Sequence, residues 1–522
     1  MTKSASTIII IFVLLITSCF FAGCISENSG IEEATSNPGQ ELVIPLGDRE
    51  ITMDPLGTST SWHVRPLIFE TLVVADIEGN HPGLATSWNV SEDGMTWTFH
   101  LREGVKFHDN TPFDAFNANY SIYKFLETGK SYRFKVESIQ TPDDHTLVIA
   151  LKDPYGPFLD GMGSIWMVSP GCYDKEGKFK EAIGTGPFIP VTYSKQEVVL
   201  KSNPDYWDVA PIIKKVTIKV IPDATTQIMA LEAGELDIVG ADQSGASYSY
   251  IKRFEDDPRF VIYKRNQSQI EFLGFNLNNE FFSDKRVREA INYGIDRQAI
   301  INSVLEGYGV PAKGPIGHDS SIPWTNTKIN GYSYDPEMAA KLLKDAGWED
   351  KDNDGVLEMD GKRFEVTLIH SGHRSFNGAM TEIIQAQLAK IGIKINIMTV
   401  ERGAFSSSLQ KKDFDMAVIP NYGKGETDPY PYLFMFFHSK GTYHIMENET
   451  FDRLYYQSMS TVDPDKRKVM YDKMQDVIME ECVAAFLMHP GKTGIAKKEL
   501  NDFELKYGFG GFTSLKKAYL SD

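Results

Sequence analysis

Two short segments carry side chains suited to binding as well as packing. Ile369-His370-Ser371-Gly372-His373-Arg374 sets two imidazoles three residues apart beside a guanidinium. On a helix that spacing would turn both rings to one side as nitrogen ligands for a transition metal. Gly372 and the strand-like run Val366 to Ile369 argue instead for the end of a strand, where histidines are ordinarily polar loop residues. The second segment is Asp350-Lys351-Asp352-Asn353-Asp354-Gly355, with carboxylates at alternate positions, as at the start of a calcium loop. Such a loop needs a bidentate acid at its twelfth position. Counted from Asp350 that position is Gly361, with Glu358 at the ninth. The segment therefore reads first as a solvated acidic turn, with Asp350, Asp352 and Asp354 as partial calcium ligands in the alternative.

Signals for catalysis are missing. The chain has no G-x-S-x-G elbow, H-E-x-x-H helix, phosphate-binding G-x-x-x-x-G-K or G-x-G-x-x-G. Gly508-Phe509-Gly510-Gly511 lacks a preceding strand and a following helix and reads as a loop. No enzymatic activity and no cofactor are expected. Net charge is −18, with the acid scattered along the chain. That argues against nucleic acid and against adsorption to anionic lipid. Beyond the N-terminal region only Cys172 and Cys482 remain, too far apart in sequence to suggest a disulfide framework or a metal site.

The elements that must position these residues differ along the chain. From Glu41 to about Val220 strand and turn signals dominate. In the stretch 82–114, Trp97, Phe99 and Leu101 alternate with Thr96, Thr98 and His100, the pattern of a half-buried strand. Glu103-Gly104 turns the chain into Val105-Lys106-Phe107, and Thr111 is expected to cap a helix with Pro112 at its first position. Val198 to Leu200 and Val216 to Val220 are strands, and Asp223 caps a helix that stops at Gly234. After about Phe275 the pattern becomes α/β. Asp284 opens a helix expected to run through 285–307, and Asp335-Pro336 opens another. A helical stripe at Met380, Ile383, Ile384, Leu388 and Ile391 precedes a strand at Ile393, Ile395 and Ile397. With the strand Phe414–Ile419 and a last helix from Asp463-Pro464, this alternation predicts a mainly parallel sheet. At 522 residues two or more domains are expected.

The N-terminus reads as a targeting signal. Lys3 precedes the apolar run Ile8 to Ile16, and small residues Ala22-Gly23 precede Cys24. Phe21-Ala22-Gly23-Cys24 resembles a lipoprotein cleavage box, which implies removal of residues 1–23 and lipid on Cys24. An uncleaved anchor is the alternative. Both place the body at the outer face of the cell membrane. Residues 24–40 read as a polar tether.

Several segments together carry a resemblance that none carries alone. They are 82–114, IGTGPF (183–188), NPDYWD (203–208), LEAGELDIV (231–239), KRVREAINYGIDRQAI (285–300), YDPEMAAKLLKDAGW (334–348) and TDPYPYLF (427–434). In this order they resemble the family 5 extracytoplasmic solute-binding proteins of peptide and nickel ABC importers, from about residue 41 to 510. The resemblance implies an α/β fold: a two-lobed periplasmic-binding-protein clamp of the class II type, with an extra α+β subdomain inserted in lobe one. Carried over, lobe one is 41–273 with the insert at about 82–183, lobe two is 274–485, and 486–522 returns to lobe one.

The resemblance also implies which segments face the solute. Trp62 and His63 lie in the first cleft segment. Residues 370–374 form the second, with His370, His373 and Arg374; in dipeptide-binding relatives an arginine here pairs with the ligand carboxylate. Residues 422–430 form the third, where Glu426 is the acid nearest the ligand's ammonium and Tyr422 and Tyr430 supply aromatic walls. Asp428 is expected to be scaffold. Trp166 falls where the nickel branch has an arginine nearby, and this chain has Ile165-Trp166-Met167 with none, which weakens the nickel reading. His438 and His444 are expected to be solvated. The implied solute is a short peptide, with a nickel or other metal chelate as the alternative and a binding protein or sensor without a transport partner as the second. The implied partners are an ABC permease and its ATPase, with the receptor a monomer.

Overall fold

The computed structural model of the chain describes residues 39–47, 50–57, 62–129, 134–242, 245–266, 269–317, 319–372, 376–421, 427–506 and 512–521. The signal segment, Cys24 and the tether lie outside the described residues, as do the glycines at 508–511. Among the described residues no helix is long and apolar enough to cross a membrane.

Lobe one opens with strand β1 (Glu41–Leu46), which buries Leu42, Ile44 and Leu46. After it come helix α1 (Arg65–Ile68), strand β2 (Glu70–Thr71) and the hairpin β3 (Val73–Asp76) and β4 (Gly79–Pro82). The inserted subdomain contains β5 (Ala85–Val90), β6 (Thr96–Leu101), helix α2 (Ala115–Glu127), β7 (Val136–Asp143), β8 (Thr146–Leu151), helix α3 (Phe158–Met162) and β9 (Trp166–Met167). Its antiparallel sheet has the order β5-β6-β8-β7. β6 buries Trp97, Phe99 and Leu101 as the alternation requires, and Trp97 packs 5.1 Å from the ring of Phe158. The helix expected from Thr111 begins three residues later. Lys106 and Pro112 form an antiparallel bridge across a tight turn at 108–110, and Phe113 N donates to the Val105 carbonyl, so Thr111 lies in the returning arm of that turn and not at a helix start. Asp114 is the cap, accepting from Asn117 N at 2.8 Å.

The rest of lobe one is the sheet β1-β12-β11-β10, made with β10 (Phe188–Tyr193), β11 (Glu197–Ser202) and β12 (Lys215–Val220), in which β1 runs parallel to β12. Helix α4 (Ala224–Glu232), capped by Asp223, leads to β13 (Ile238–Val239), helix α5 (Tyr248–Phe254) and β14 (Phe260–Asn266). One hydrophobic core joins both sheets, with Leu42, Val216 and Ile218 in the same cluster as Trp97, Phe99 and Leu147. The insert is therefore continuous with lobe one, each large buried side chain contributing roughly 1.5–3 kcal/mol.

The segments that carry the family resemblance explain part of this continuity. Glu70 accepts hydrogen bonds from Thr185 Oγ1 (2.8 Å), Tyr206 OH (2.7 Å) and Trp207 Nε1 (2.8 Å), so IGTGPF and NPDYWD meet on one carboxylate. The Arg102 guanidinium lies 4.3 Å over the Trp207 ring. Gly184 passes so close to α1 that a Cβ on it would lie 2.0 Å from the Ile68 carbonyl oxygen, a contact only glycine allows.

The chain continues with β15 (Ile270–Phe275), helices α6 (Lys285–Gly294) and α7 (Arg297–Val304), β16 (Gly309–Pro311) and helix α8 (Pro336–Asp345), the elements of the expected lobe two. The single helix expected over 285–307 is broken at Ile295. Asp296 caps α7 through Ala299 N at 3.0 Å, while its own N–H donates to Gln387 Oε1 at 3.0 Å. A hairpin of β17 (Glu358–Met359) and β18 (Lys362–Arg363) precedes β19 (Glu365–Ser371), helix α9 (Asn377–Ala389), β20 (Lys394–Val400), helix α10 (Arg402–Lys411) and β21 (Met416–Asn421). Helices α11 (Tyr430–Phe437), α12 (Glu449–Ser460) and α13 (Pro464–Glu481) then lead into the long strand β22 (Ala484–Lys497).

The large sheet has the order β13-β22-β15-β21-β19-β20, with β14 and β16 also on β22. It is mixed, where a mainly parallel sheet was expected. Only β20, β19 and β21 are parallel, because only they are joined through the crossover helices α9 and α10. β15 runs antiparallel to both β21 and β22. One face buries Phe272, Ile369 and Ile419 with α10 to α13; the other buries Leu273, Leu368 and Met416 with α6 to α9. β22 serves both lobes: residues 491–497 pair with β14 and 484–488 with β15.

Candidate ligand-binding cleft

β22 pairs with β14 through 491–497 and with β15 through 484–488, and buried charged groups gather on these strands. Glu271, on β15 in register with Met488 and Pro420, is completely buried in an otherwise apolar strand. On β22, His489 and Lys492 are buried as well. His489 Nδ1 lies 3.0 Å from the Gln269 carbonyl oxygen, and Lys492 Nζ donates to the Ala241 and Lys506 carbonyls at 3.3 Å. Charged and titratable groups in a strand interior are costly unless paired, and these carbonyl contacts of His489 and Lys492 meet that need.

The lobe-one side carries the first predicted segment. Trp62 is 37% exposed and its ring sits 4.8 Å from the buried Arg65 guanidinium, which donates to the Asp54 and Gly57 carbonyls. His63 is buried against Phe512, with ring centroids 5.7 Å apart. Burial lowers its pKa to about 4, with Lys492 acting in the same direction and Asp242 opposing, so the ring is neutral at physiological pH. Asp242 accepts from Gly47 N at 2.8 Å. Trp166 is half-buried on β9, paired in register with Thr71, and packs on the lobe-one core.

On lobe two, His370 ends β19 and is buried. Its Nε2 lies 3.0 Å from Thr399 Oγ1 on the neighbouring β20, and its Nδ1 lies 3.4 Å from the Ser371 carbonyl oxygen. The third segment is anchored from below. Asp428, buried, accepts from Arg467 Nη2 at 2.5 Å and from Tyr471 OH at 2.7 Å. Burial works against the Arg467 charge, but Asp428 and Tyr471 outweigh it and raise its pKa. Trp324 packs on both Arg467 and Tyr471 and donates from Nε1 to the Thr427 carbonyl at 2.7 Å. Tyr430 is buried and meets Tyr155 of the insert edge-on at 6.3 Å.

His373, Arg374, Tyr422 and Glu426 lie outside the described residues. The acidic turn differs in detail from its sequence reading. Carboxylate oxygens of Asp350, Asp352 and Glu358 lie within 4.8 Å of one another. Asp354 instead pairs with Arg363 at 2.5 Å, which holds its carboxyl below the usual range. A second group, Asp76, Glu78 and His81, meets the same spacing at the β3–β4 turn. His438, expected to be solvated, is fully buried: Phe434 and Tyr455 stack about it and its Nδ1 accepts from Lys440 N at 3.0 Å. His444 caps its own turn through the Gly441 carbonyl. Both Cys172 and Cys482 are buried free thiols, pushed up to about 12 and about 11 by burial and hence unreactive. Sequence reasoning did not single out the buried polar groups Glu271, Asp242, His489 and Lys492; a lone charge inside Ile270 to Phe275 was the available signal for the first.

This arrangement has known counterparts. Residues 80–444 match the family described as bacterial extracellular solute-binding proteins, family 5, middle region. The chain is 27% identical over 466 residues to the nickel-binding periplasmic protein of Escherichia coli (strain K12), spanning 86% of this chain and 88% of that one. It is 26% identical over 525 residues to the oligopeptide-binding protein AppA of Bacillus subtilis (strain 168), spanning 94% of each. Among solved structures, NikA from Brucella suis in complex with Fe(III)-EDTA aligns with a TM-score of 0.82 at 26% identity, over 92% of this chain and 100% of that one. With an α/β body whose lobes share β22 and a family match over residues 80–444, the chain belongs to family 5 of the bacterial extracellular solute-binding proteins.

Proposed function

We propose that this protein is the solute receptor of an ABC importer, capturing short peptides between its lobes and passing them to a membrane permease and its ATPase. The observation that carries the peptide reading is the likeness over 94% of the chain to the oligopeptide-binding protein AppA of Bacillus subtilis (strain 168). In this reading Arg374 and Glu426 meet the carboxylate and ammonium ends of the peptide, and Trp62, Trp166, Tyr422 and Tyr430 are its aromatic cover. His370 is already engaged by Thr399, which argues against a His370–His373 metal pincer. The proposed lobes are about 41–273 with 486–522, and 274–485. The division of β22 between β14 and β15 supports boundaries near these. Lipid on Cys24 would hold the receptor, as a monomer, at the membrane.

Likeness to NikA and to the nickel-binding protein of Escherichia coli favours a metal chelate as the second reading. Native mass spectrometry of protein purified from its host, with and without added tetrapeptides and nickel–histidine, separates the two. A peptide adduct is expected; a retained metal with no peptide adduct sinks the first reading. In Arg374→Glu, peptide affinity should fall by about a hundredfold, since a like charge would then face the ligand carboxylate; unchanged affinity removes Arg374 from the site.

A further inference from the structure

We propose that the inserted subdomain carries a clasp, centred on Gly156, that holds the lobes together at a point separate from the strand crossing. The clasp sets how far the clamp stays shut, and so how tightly any solute is retained. The inference rests on the two-lobed fold and not on which solute is carried.

The contact is backbone against backbone. Gly156 N donates to the Met459 carbonyl at 2.7 Å, joining the loop before α3 to the end of α12. A Cβ on Gly156 would lie 2.3 Å from the Thr461 carbonyl oxygen and 2.8 Å from both Arg467 Nε and the Ser458 carbonyl oxygen. Side chains close around it. Tyr155 meets Tyr430 edge-on, and the Thr427 hydroxyl donates to Asp160. A Cβ on Gly94 would lie 2.7 Å from Val462 Cγ2, so a second loop of the insert reaches the same corner.

Apolar groups are exchanged as well. Ile77, at the tip of the β3–β4 hairpin, is 4% exposed and packs in the lobe-two cluster that holds Phe405 and Tyr430. Met459 packs against the cores of both lobes. The receiving corner is rigid, because Arg467 is fixed by Asp428, Tyr471 and the Ser458 carbonyl. None of these groups belongs to the crossing strands. Open and closed clamps differ by only a few kcal/mol, so a contact made in one and absent from the other shifts the population directly. Apparent affinity then scales with the closed fraction.

The test uses protein stripped of solute by unfolding and refolding. Small-angle X-ray scattering gives the radius of gyration of the wild type, Gly156→Val and Ile77→Ser. Hydrogen exchange follows the amides of 456–462. Both variants are expected to expand the radius of gyration and to lose exchange protection at 456–462, beyond any lowering of the thermal midpoint. A purely structural role would lower the midpoint without expansion. An unchanged radius of gyration in both variants overturns the proposal. Should Gly156→Val fail to fold, Ile77→Ser decides by the same criterion.

Discussion

His63 and His108 are each held neutral by their surroundings. Burial lowers His108 to about 4, against the opposing hydrogen bond to the Gly186 carbonyl. Its Nε2 is 3.0 Å from that carbonyl oxygen and its Nδ1 accepts from Gly184 N at 3.3 Å, an arrangement that only the neutral ring can make. An unfolded histidine takes up its proton near 6.5, while these two wait until about 4. Between those values the unfolded chain binds more protons, so stability should fall as pH drops from 6.5 to 4 and then level off for these groups. Each histidine should account for roughly 1–3 kcal/mol. Urea unfolding at pH 4.5 and 7 reads the slope, which should flatten in His108→Gln. A variant that loses as much stability as the wild type over that window would show that His108 is not a source of it.

At the next scale, the turn into α11 depends on α13 through Asp428, Arg467 and Tyr471. Breaking a buried pair from one side leaves a charge without compensation and costs about 3–5 kcal/mol. Asp428→Asn should therefore lower unfolding free energy by about that much in denaturant titration. The double variant Asp428→Leu with Arg467→Met should recover much of the loss. A single variant within 1 kcal/mol of wild type would contradict the pairing. This element also shows what was legible beforehand. Asp223, Asp284, Asp335 and Asp463 all cap the helices their spacing predicted, because a cap is a local bond between a side chain and an N–H two or three residues on. The family segments gave the clamp. Long-range choices were hidden. Nothing near Thr111 announces that Lys106 will bridge Pro112, and nothing near Asp296 announces Gln387. Asp428 was read as scaffold, but its partner lies in another helix. At the candidate site, motif positions were legible while the buried polar groups were not, since Glu271 meets Met488 only once β22 lies beside β15.

The whole molecule turns on that strand. β22 completes hydrogen-bond ladders in both lobes, and the crossing is reinforced where Tyr308 stacks on Tyr248 and donates to Glu255. Lobes that share a strand should not melt independently. Differential scanning calorimetry is expected to show one cooperative transition for the folded body, raised in temperature by bound solute. Two resolved transitions, with only one moved by solute, would separate the lobes energetically. The position of β22 in the chain has a further consequence for biogenesis. It follows every other strand of its sheet in sequence, and both lobes wait for it. A polypeptide emerging N-terminus first therefore lacks the central member of its largest sheet until the rest has been made. Non-local pairing of this kind delays folding. For a protein destined for the far side of a membrane, that delay keeps the nascent chain threadable until translocation is nearly complete.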